Sequence, residues 1–326
     1  MNMIGRMGVK SLMLICLICQ FAATGWAQNY PTKPVRLLIA FSAGSGTDTI
    51  GRIMAAGLTE TLGQQIIVEN RAGASGNIGA EIAAKARPDG YTLFLVNLAY
   101  AINAGMYKNL PYDLLRDFAP VAQFATGPYV VVVHPSLPVK SLSEFVKLAK
   151  SRPGKIEFAS AGAGTAVPLA AELFKRQAGI NLLHVPYRGG GEAITAVLSG
   201  EVPFYIAPLA PTLPLIQQGR LRALAVTSTK RQPMLPGHPT VAESGYPDYE
   251  FGNWYGFMVP ANTPRAIIAT IHGATMAALN NPSVRKRLND QGYATVGDTP
   301  EEFAAHLKSE VAKMAKIIKE HNLTPD

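Results

Sequence analysis

From Val35 to Phe41 the chain is an apolar run of the kind a strand buried on both faces requires. Ile50, Ile53, Met54, Leu58 and Leu62 then recur at helical spacing, with Thr47 or Asp48 available as N-cap and Gly63 as the stop. The pattern repeats: Ile66 to Glu69 predicts a second strand, Ile78 to Ala86 a helix ended by Pro88-Asp89-Gly90, and Tyr91 to Val96 a third strand. A second series begins at Tyr129 to His134, where Ser141 with Glu144 forms a capping box for a helix to Lys150. Next come a strand at Ile156 to Ser160, the loop Ala161 to Thr165, and a helix marked by Leu169, Leu173 and Phe174 that ends at Gly179. Strands at Leu182 to Val185, Val202 to Ile206 and Leu221 to Thr227 continue this series, with a helix near Glu192 to Leu198.

The last third supplies a strand near Glu250 to Val259, a helix from Pro264 to Asn280, a helix opened by Pro282 and a final helix capped by Thr299 with Glu302. Too few strands remain there for a third lobe. The segment is expected to return to the first, so that the chain crosses near Gly127-Pro128 and again near Asp248 to Gly252. The fold class read from this pattern is α/β, with two lobes, largely parallel sheets and two hinge crossings. The boundaries are 28–127 with 250–326 for lobe 1 and 128–249 for lobe 2, after a leader at 1–27. No internal repeat suggests a solenoid.

The leader carries Arg6 and Lys10, an apolar stretch from Ser11 to Ala23 and the small-residue site Gly25-Trp26-Ala27. That is the pattern of a secretory signal peptide cut after Ala27, and it predicts a periplasmic protein. A membrane anchor needs ~20 apolar residues in a row, and this stretch is shorter. Cys16 and Cys19 leave with it, and Ile15 and Ile18 before them argue against a lipoprotein site, so the mature chain has no thiol and no disulfide. Of the formal net charge of +8, a mild basic excess remains, which steers anions. Lysines and arginines are scattered without an aromatic-basic ladder, so no nucleic-acid partner is expected.

Candidate chemistry concentrates in two loops. Phe41-Ser42-Ala43-Gly44-Ser45-Gly46-Thr47-Asp48 places glycines and hydroxyls between a strand and a helix, where free N–H groups and the helix dipole favour an anion. No Gly-Lys-Ser/Thr follows, and the third glycine of a dinucleotide fingerprint is absent. Read alone, the loop is equally a tight turn with a Thr47 or Asp48 cap. Ser160 to Thr165 repeats the chemistry, and two such loops can face each other beyond the strand ends. Asn97 ends the third strand and can serve a ligand oxygen or merely end the sheet, while Asn70 to Asn77 reads as helix entry or ligand contact. Trp254 and Tyr255 read as packing. No Gly-x-Ser-x-Gly, His-Glu-x-x-His or Cys-x-x-Cys occurs, and the histidines lack metal spacing, so neither enzyme nor metal site nor cofactor is expected.

The sequence resembles the periplasmic substrate-binding proteins of tripartite tricarboxylate transporters, the Bug family. The resemblance rests on Tyr30-Pro31-Thr32-Lys33-Pro34, the Phe41 to Asp48 loop, Val68-Glu69-Asn70-Arg71, Pro88 to Leu93, Ser160 to Thr165, Val185 to Gly189 and Leu221 to Thr227. It implies a flytrap fold that acts without catalysis or cofactor, binds a carboxylate between its lobes and delivers it to membrane permease subunits. The chain is expected to act as a monomer. The carried-over contacts are Ser45, Gly46, Thr47, Ser160 and Thr165, partly through ordered water. Ser42, Asp48, Asn97 and Gly164 join the candidate set, with Tyr100, Tyr187 and Ala207. Relatives often carry His where Pro168 stands and Asp where Ala207 stands. Their loss implies a ligand with a less polar body, an aromatic or aliphatic dicarboxylate, rather than an amino acid. A secreted hydrolase and a ligand-dependent partner of a sensor are the competing functions.

Overall fold

In a computed structural model, residues 30–162 and 164–320 are described; the leader at 1–27 lies outside them. The strands are β1 (Val35–Ile39), β2 (Ile66–Asn70), β3 (Thr92–Asn97), β4 (Phe118–Val133), β5 (Glu157–Ser160), β6 (Leu183–Pro186), β7 (Phe204–Pro208), β8 (Arg222–Val226), β9 (Gly252–Pro260) and β10 (Ala294–Thr295). Helices are α1 (Gly46–Leu62), α2 (Asn77–Ala84), α3 (Leu98–Met106), α4 (Leu142–Ser151), α5 (Ala166–Ala178), α6 (Gly190–Leu198), α7 (Leu209–Gln217), α8 (Arg265–Asn280), α9 (Pro282–Asp290) and α10 (Pro300–Glu320).

Two sheets share one long strand. From Phe118 to Pro128, β4 pairs antiparallel with β9, in a sheet ordered β2-β1-β3-β9-β4 with β10 on β4. From Tyr129 to Val133 it pairs instead with β7 and β8, and β7 leads on to β5 and β6. The partner exchange falls at Gly127-Pro128, where the chain passes from one lobe to the other without leaving the extended conformation. Each lobe is therefore a sheet covered by helices, the architecture that a β strand buried on both faces demands. The sheets are mixed rather than largely parallel: β1, β2 and β3 run parallel, but β9 runs antiparallel between β3 and β4.

The two crossings are tied together at Thr227, which is fully buried. Its hydroxyl accepts from Tyr129 N at 2.8 Å and lies 2.6 Å from the Phe251 carbonyl, to which it donates. Phe251 N in turn donates to the Thr227 carbonyl at 3.0 Å. One residue thus ties the outgoing and returning crossings together by hydrogen bonds.

Side-chain packing holds each lobe rigid. In the first, Gly51 lets α1 press on the sheet, since a Cβ there would stand 2.5 Å from Ile39 Cδ1. In the second, the rings of Phe145 and Phe204 stack at 4.3 Å, a pair worth ~0.5–1.5 kcal/mol beyond its area. Helix caps follow the chemistry expected of them. Ser141 Oγ accepts from Glu144 N, and Thr299 Oγ1 from Glu302 N while the Glu302 carboxylate accepts from Thr299 N. The α1 cap is Ser45, whose Oγ accepts from Asp48 N at 3.2 Å, and not Thr47 or Asp48.

Candidate functional site

Between the lobes lies a cavity of about 70 Å³. Its wall on the first lobe comes from the loop after β1 (Phe41, Gly44 to Thr47), from Asn97 and Ala99 after β3, and from Asn253 and Tyr255 of β9. Facing it are Tyr129 of β4, Ala161 and Thr165 to Val167 after β5, Gly190 and Ile194 of α6, and Tyr205, Pro208, Pro211 and Thr212 of β7 and α7. None of these lining residues is charged.

Five helices point their N-termini at this space, because each follows a strand at the strand's carboxyl end or the loop beyond it: α1 at Gly46 and Thr47, α3 at Asn97 and Ala99, α5 at Ala166 and Val167, α6 at Gly190 and α7 at Pro208. The first N–H groups of a helix have no intrahelical acceptor. No side chain caps α5, α6 or α7. Each N-terminus carries the equivalent of about half a positive charge, and a partly buried anion gains up to ~2 kcal/mol from one. Asp48 and Glu192 already stand in the first turns of α1 and α6, so the uncompensated share of this field comes from α3, α5 and α7. A neutral cavity with this field selects an anion without any lysine or arginine.

Hydroxyls complete the donor set. Thr47 Oγ1 accepts from Asn97 Nδ2 at 2.8 Å, which leaves its proton free for the cavity. Asn97 is itself held by Ala99 N, which donates to its Oδ1, so one side chain caps α3 and orients Thr47. Tyr255 OH accepts from Asn253 Nδ2 at 3.2 Å and keeps its proton. Tyr205 is 2% exposed, and among the described residues its hydroxyl has no hydrogen-bond partner. Burial pushes the phenols of Tyr129, Tyr205 and Tyr255 well above their ordinary range, so all three remain protonated donors at any physiological pH.

Of the residues expected from sequence, Ser45, Gly46, Thr47, Asn97 and Thr165 line the cavity. The Thr165 hydroxyl donates to the Gly162 carbonyl at 2.7 Å, locking the turn, and beside it the amides of Ala166 and Val167 open α5 without a side-chain cap. The other expected contacts stand behind or beside the wall. Asp48 turns away, accepting from Gly44 N, Arg52 Nε and Asn70 Nδ2. Burial alone would raise its carboxyl, but the Arg52, Gly44 and Asn70 hydrogen bonds outweigh that and hold it below the ordinary carboxylate range. It braces the loop. Ser160 Oγ contacts His184 Nε2 at 2.6 Å and accepts from Gly162 N, under the second loop. Tyr100 is wholly buried beneath Phe41 and Phe94. Tyr187 reaches outward, its hydroxyl donating to Glu201 Oε1 at 2.9 Å. Ala207 is buried in β7 opposite Val130. Ser42 and Gly164 meet the opposite lobe instead. Tyr255, expected only to pack, does line the site, and Trp254 on the other face of β9 packs on Phe303 and donates to Glu310 Oε2 at 3.1 Å.

A groove of about 1170 Å³ lies beside the crossings, lined by Gln123, Trp254, His306, Glu310 and Lys313 among others. Its charges are of both signs and no ring of helix N-termini faces it, so it lacks the anion selectivity of the cavity. Among the described residues no helix is long and apolar enough to cross a membrane.

Residues 50–323 match the profile of the tripartite tricarboxylate transporter family receptor. BugT of Bordetella pertussis is 34% identical over 301 residues, covering 92% of this chain and 92% of its own. Among solved structures, R. palustris Rpa4515 with adipate superposes with a TM-score of 0.88 at 34% identity, covering 91% of this chain and all of its own (100%). The periplasmic binding protein BugD gives 0.87 at 32% identity over 91% of this chain and 100% of its own.

Proposed function

We propose that this chain, which belongs to the tripartite tricarboxylate transporter receptor family, captures a small dicarboxylate between its lobes and presents it to the membrane subunits of such a transporter. The observation that carries the reading is the convergence of five helix N-termini on a cavity with no charged lining residue. Family membership makes the protein a transport receptor. It binds without turnover as a monomer, resides in the periplasm after cleavage following Ala27, and has lobes bounded at 28–127 with 250–326 and at 128–249. The leader pattern and the periplasmic relatives support the compartment.

Ligand class follows from the lining. Phe41, Ala99, Ala161, Ala166, Val167, Ile194, Pro208 and Pro211 give the ligand body an apolar bed, and no lining residue is acidic. An ammonium group would find no carboxylate partner there and would face the positive helix ends, which disfavours amino acids. Straight-chain diacids, of which adipate is bound by a similar protein, and aromatic diacids fit. The residues that line the cavity carry this preference. Pro168 and Ala207, where relatives often carry polar groups, do not line it.

A thermal-shift screen of carboxylic acids tests the reading, because a ligand of the folded state alone stabilises by RT ln(1 + [L]/Kd), ~2.7 kcal/mol at a hundredfold excess over Kd. Straight-chain or aromatic diacids are expected to raise the melting temperature. A response confined to amino acids or to citrate-like acids overturns the ligand class, and hydrolysis of an added ester with turnover overturns the binding-protein reading.

A further inference from the structure

We infer that Gly164 and Gly189 are positioning residues, bare points at which the lobes seat on each other, and that closure, and through it ligand affinity, depends on their lacking a side chain. This rests on the two-lobed capture reading above. A Cβ on Gly164 would meet three groups of the opposite lobe: Asn103 Oδ1, Ser75 Cβ at 2.8 Å and Tyr107 Cε2 at 2.9 Å. These cannot easily yield. Asn103 is fully buried and its Nδ2 donates to the Ser75 carbonyl and to Asn77 Oδ1, both at 3.0 Å. Asn77 Oδ1 also accepts from Tyr112 OH at 2.7 Å. Ser75 sits in the left-handed region at φ 55, ψ 30, unusual for a residue with a side chain, and the Asn103 bond to its carbonyl fixes it there.

The second contact is softer. A Cβ on Gly189 would stand 2.7 Å from Ser42 Oγ and 3.4 Å from Ser42 Cβ, and Ser42 Oγ is buried without a partner. Neither glycine has a positive φ, so alanine is compatible with the backbone at both, and the clash exists only when the lobes are together. Gly191, in the same segment as Gly189, provides the contrast: its nearest neighbour, the Ala43 carbonyl, is 3.8 Å from a Cβ, an ordinary contact. The seam therefore acts on affinity without touching the ligand. A methyl group at Gly164 leaves the parted lobes unchanged and holds them from closing.

The geometry supplies a reporter that needs no ligand. With 3.4 Å between the Ser42 Cβ and a Cβ on Gly189, a cysteine pair there lies at the short edge of disulfide geometry, where Cβ atoms are ~3.5–4.5 Å apart. Ser42→Cys with Gly189→Cys, in a chain freed of Cys16 and Cys19, should crosslink under mild oxidation whenever the lobes meet. Adding Gly164→Ala is expected to slow crosslinking at least tenfold, adding Gly191→Ala to leave it unchanged, and both to keep the melting temperature of the reduced protein. Failure of the parent pair to crosslink, or an unchanged rate with Gly164→Ala, overturns the seam. The effect of adipate is read separately. Faster crosslinking of the parent with adipate supports both seam and capture; crosslinking that adipate and the other diacids do not accelerate counts against the proposed ligand class and leaves the seam standing on the Gly164→Ala result.

Discussion

Replacing Ala166 by aspartate should lower dicarboxylate affinity at least ~100-fold, a loss of ~2.7 kcal/mol, while the unliganded protein keeps its stability or gains ~0.3–1 kcal/mol. Ala166 is the first residue of α5, lines the cavity and is 4% exposed. A carboxylate tethered there takes the place of the ligand's own. It satisfies the uncapped N–H groups and the dipole of α5 while repelling a second anion from a space of about 70 Å³. Ala166→Asn separates size from charge and should lose distinctly less. Calorimetric titration with adipate alongside denaturant melts of the unliganded variants measures both quantities. Equal losses for Asp and Asn would show that bulk, not charge, excludes the ligand, and the helix-dipole account would fail.

Tyr205→Phe is expected to weaken binding by ~10- to 100-fold, the ~1.5–3 kcal/mol of a hydrogen bond to a charged group, with no change in unliganded stability. The asymmetry follows from the structure: among the described residues the hydroxyl has no partner to lose. Thr165→Ala should show the reverse, because its hydroxyl is spent on the Gly162 carbonyl. There, stability falls by ~0.5–2 kcal/mol and affinity follows only as far as the turn loosens. A Tyr205→Phe protein that binds normally but melts lower would remove Tyr205 from the site.

These two residues also show where sequence reasoning stops. The glycine and hydroxyl loops were legible because each stands between an apolar run and a helical period, and chain order alone puts such a loop at a strand's carboxyl end. Thr47 followed from that, as did Ser45 and Gly46. The direction of a side chain within a loop did not: Asp48 and Ser160 have the right chemistry at the right place and point into their own lobe. Tyr129, Tyr205 and Tyr255 were not expected in the cavity lining because each lies inside a strand, where a tyrosine reads as packing, and only the meeting of the lobes places it beside a cavity.

Elements behaved similarly. Repeated strand and helix units were readable from their periods. The first half of β4 was hidden by Pro120 and Pro128, which usually argue against a paired strand; Pro120 is tolerated beside a shift of register, and Pro128 at the end of the pairing with β9. Helix α7 was hidden in the same way by Pro211 and Pro214. Helix α3 begins directly at Asn97 with no turn to announce it. The antiparallel place of β9 beside β3 depends on pairs such as Phe94 with Met258 and Asn97 with Tyr255, far apart in the chain, which no local pattern encodes.

The central claim is that a neutral cavity ringed by helix N-termini holds its ligand by that ligand's negative charge. Its most direct test is calorimetric titration with adipate and with adipamide, the neutral diamide of the same length, at pH 7 to 8, where the diacid is fully ionised and the cavity phenols stay protonated. Adipate should bind, and adipamide should bind at least ~1000-fold more weakly, a difference of ~4 kcal/mol or more. Comparable affinities, or a preference for the diamide, would contradict it.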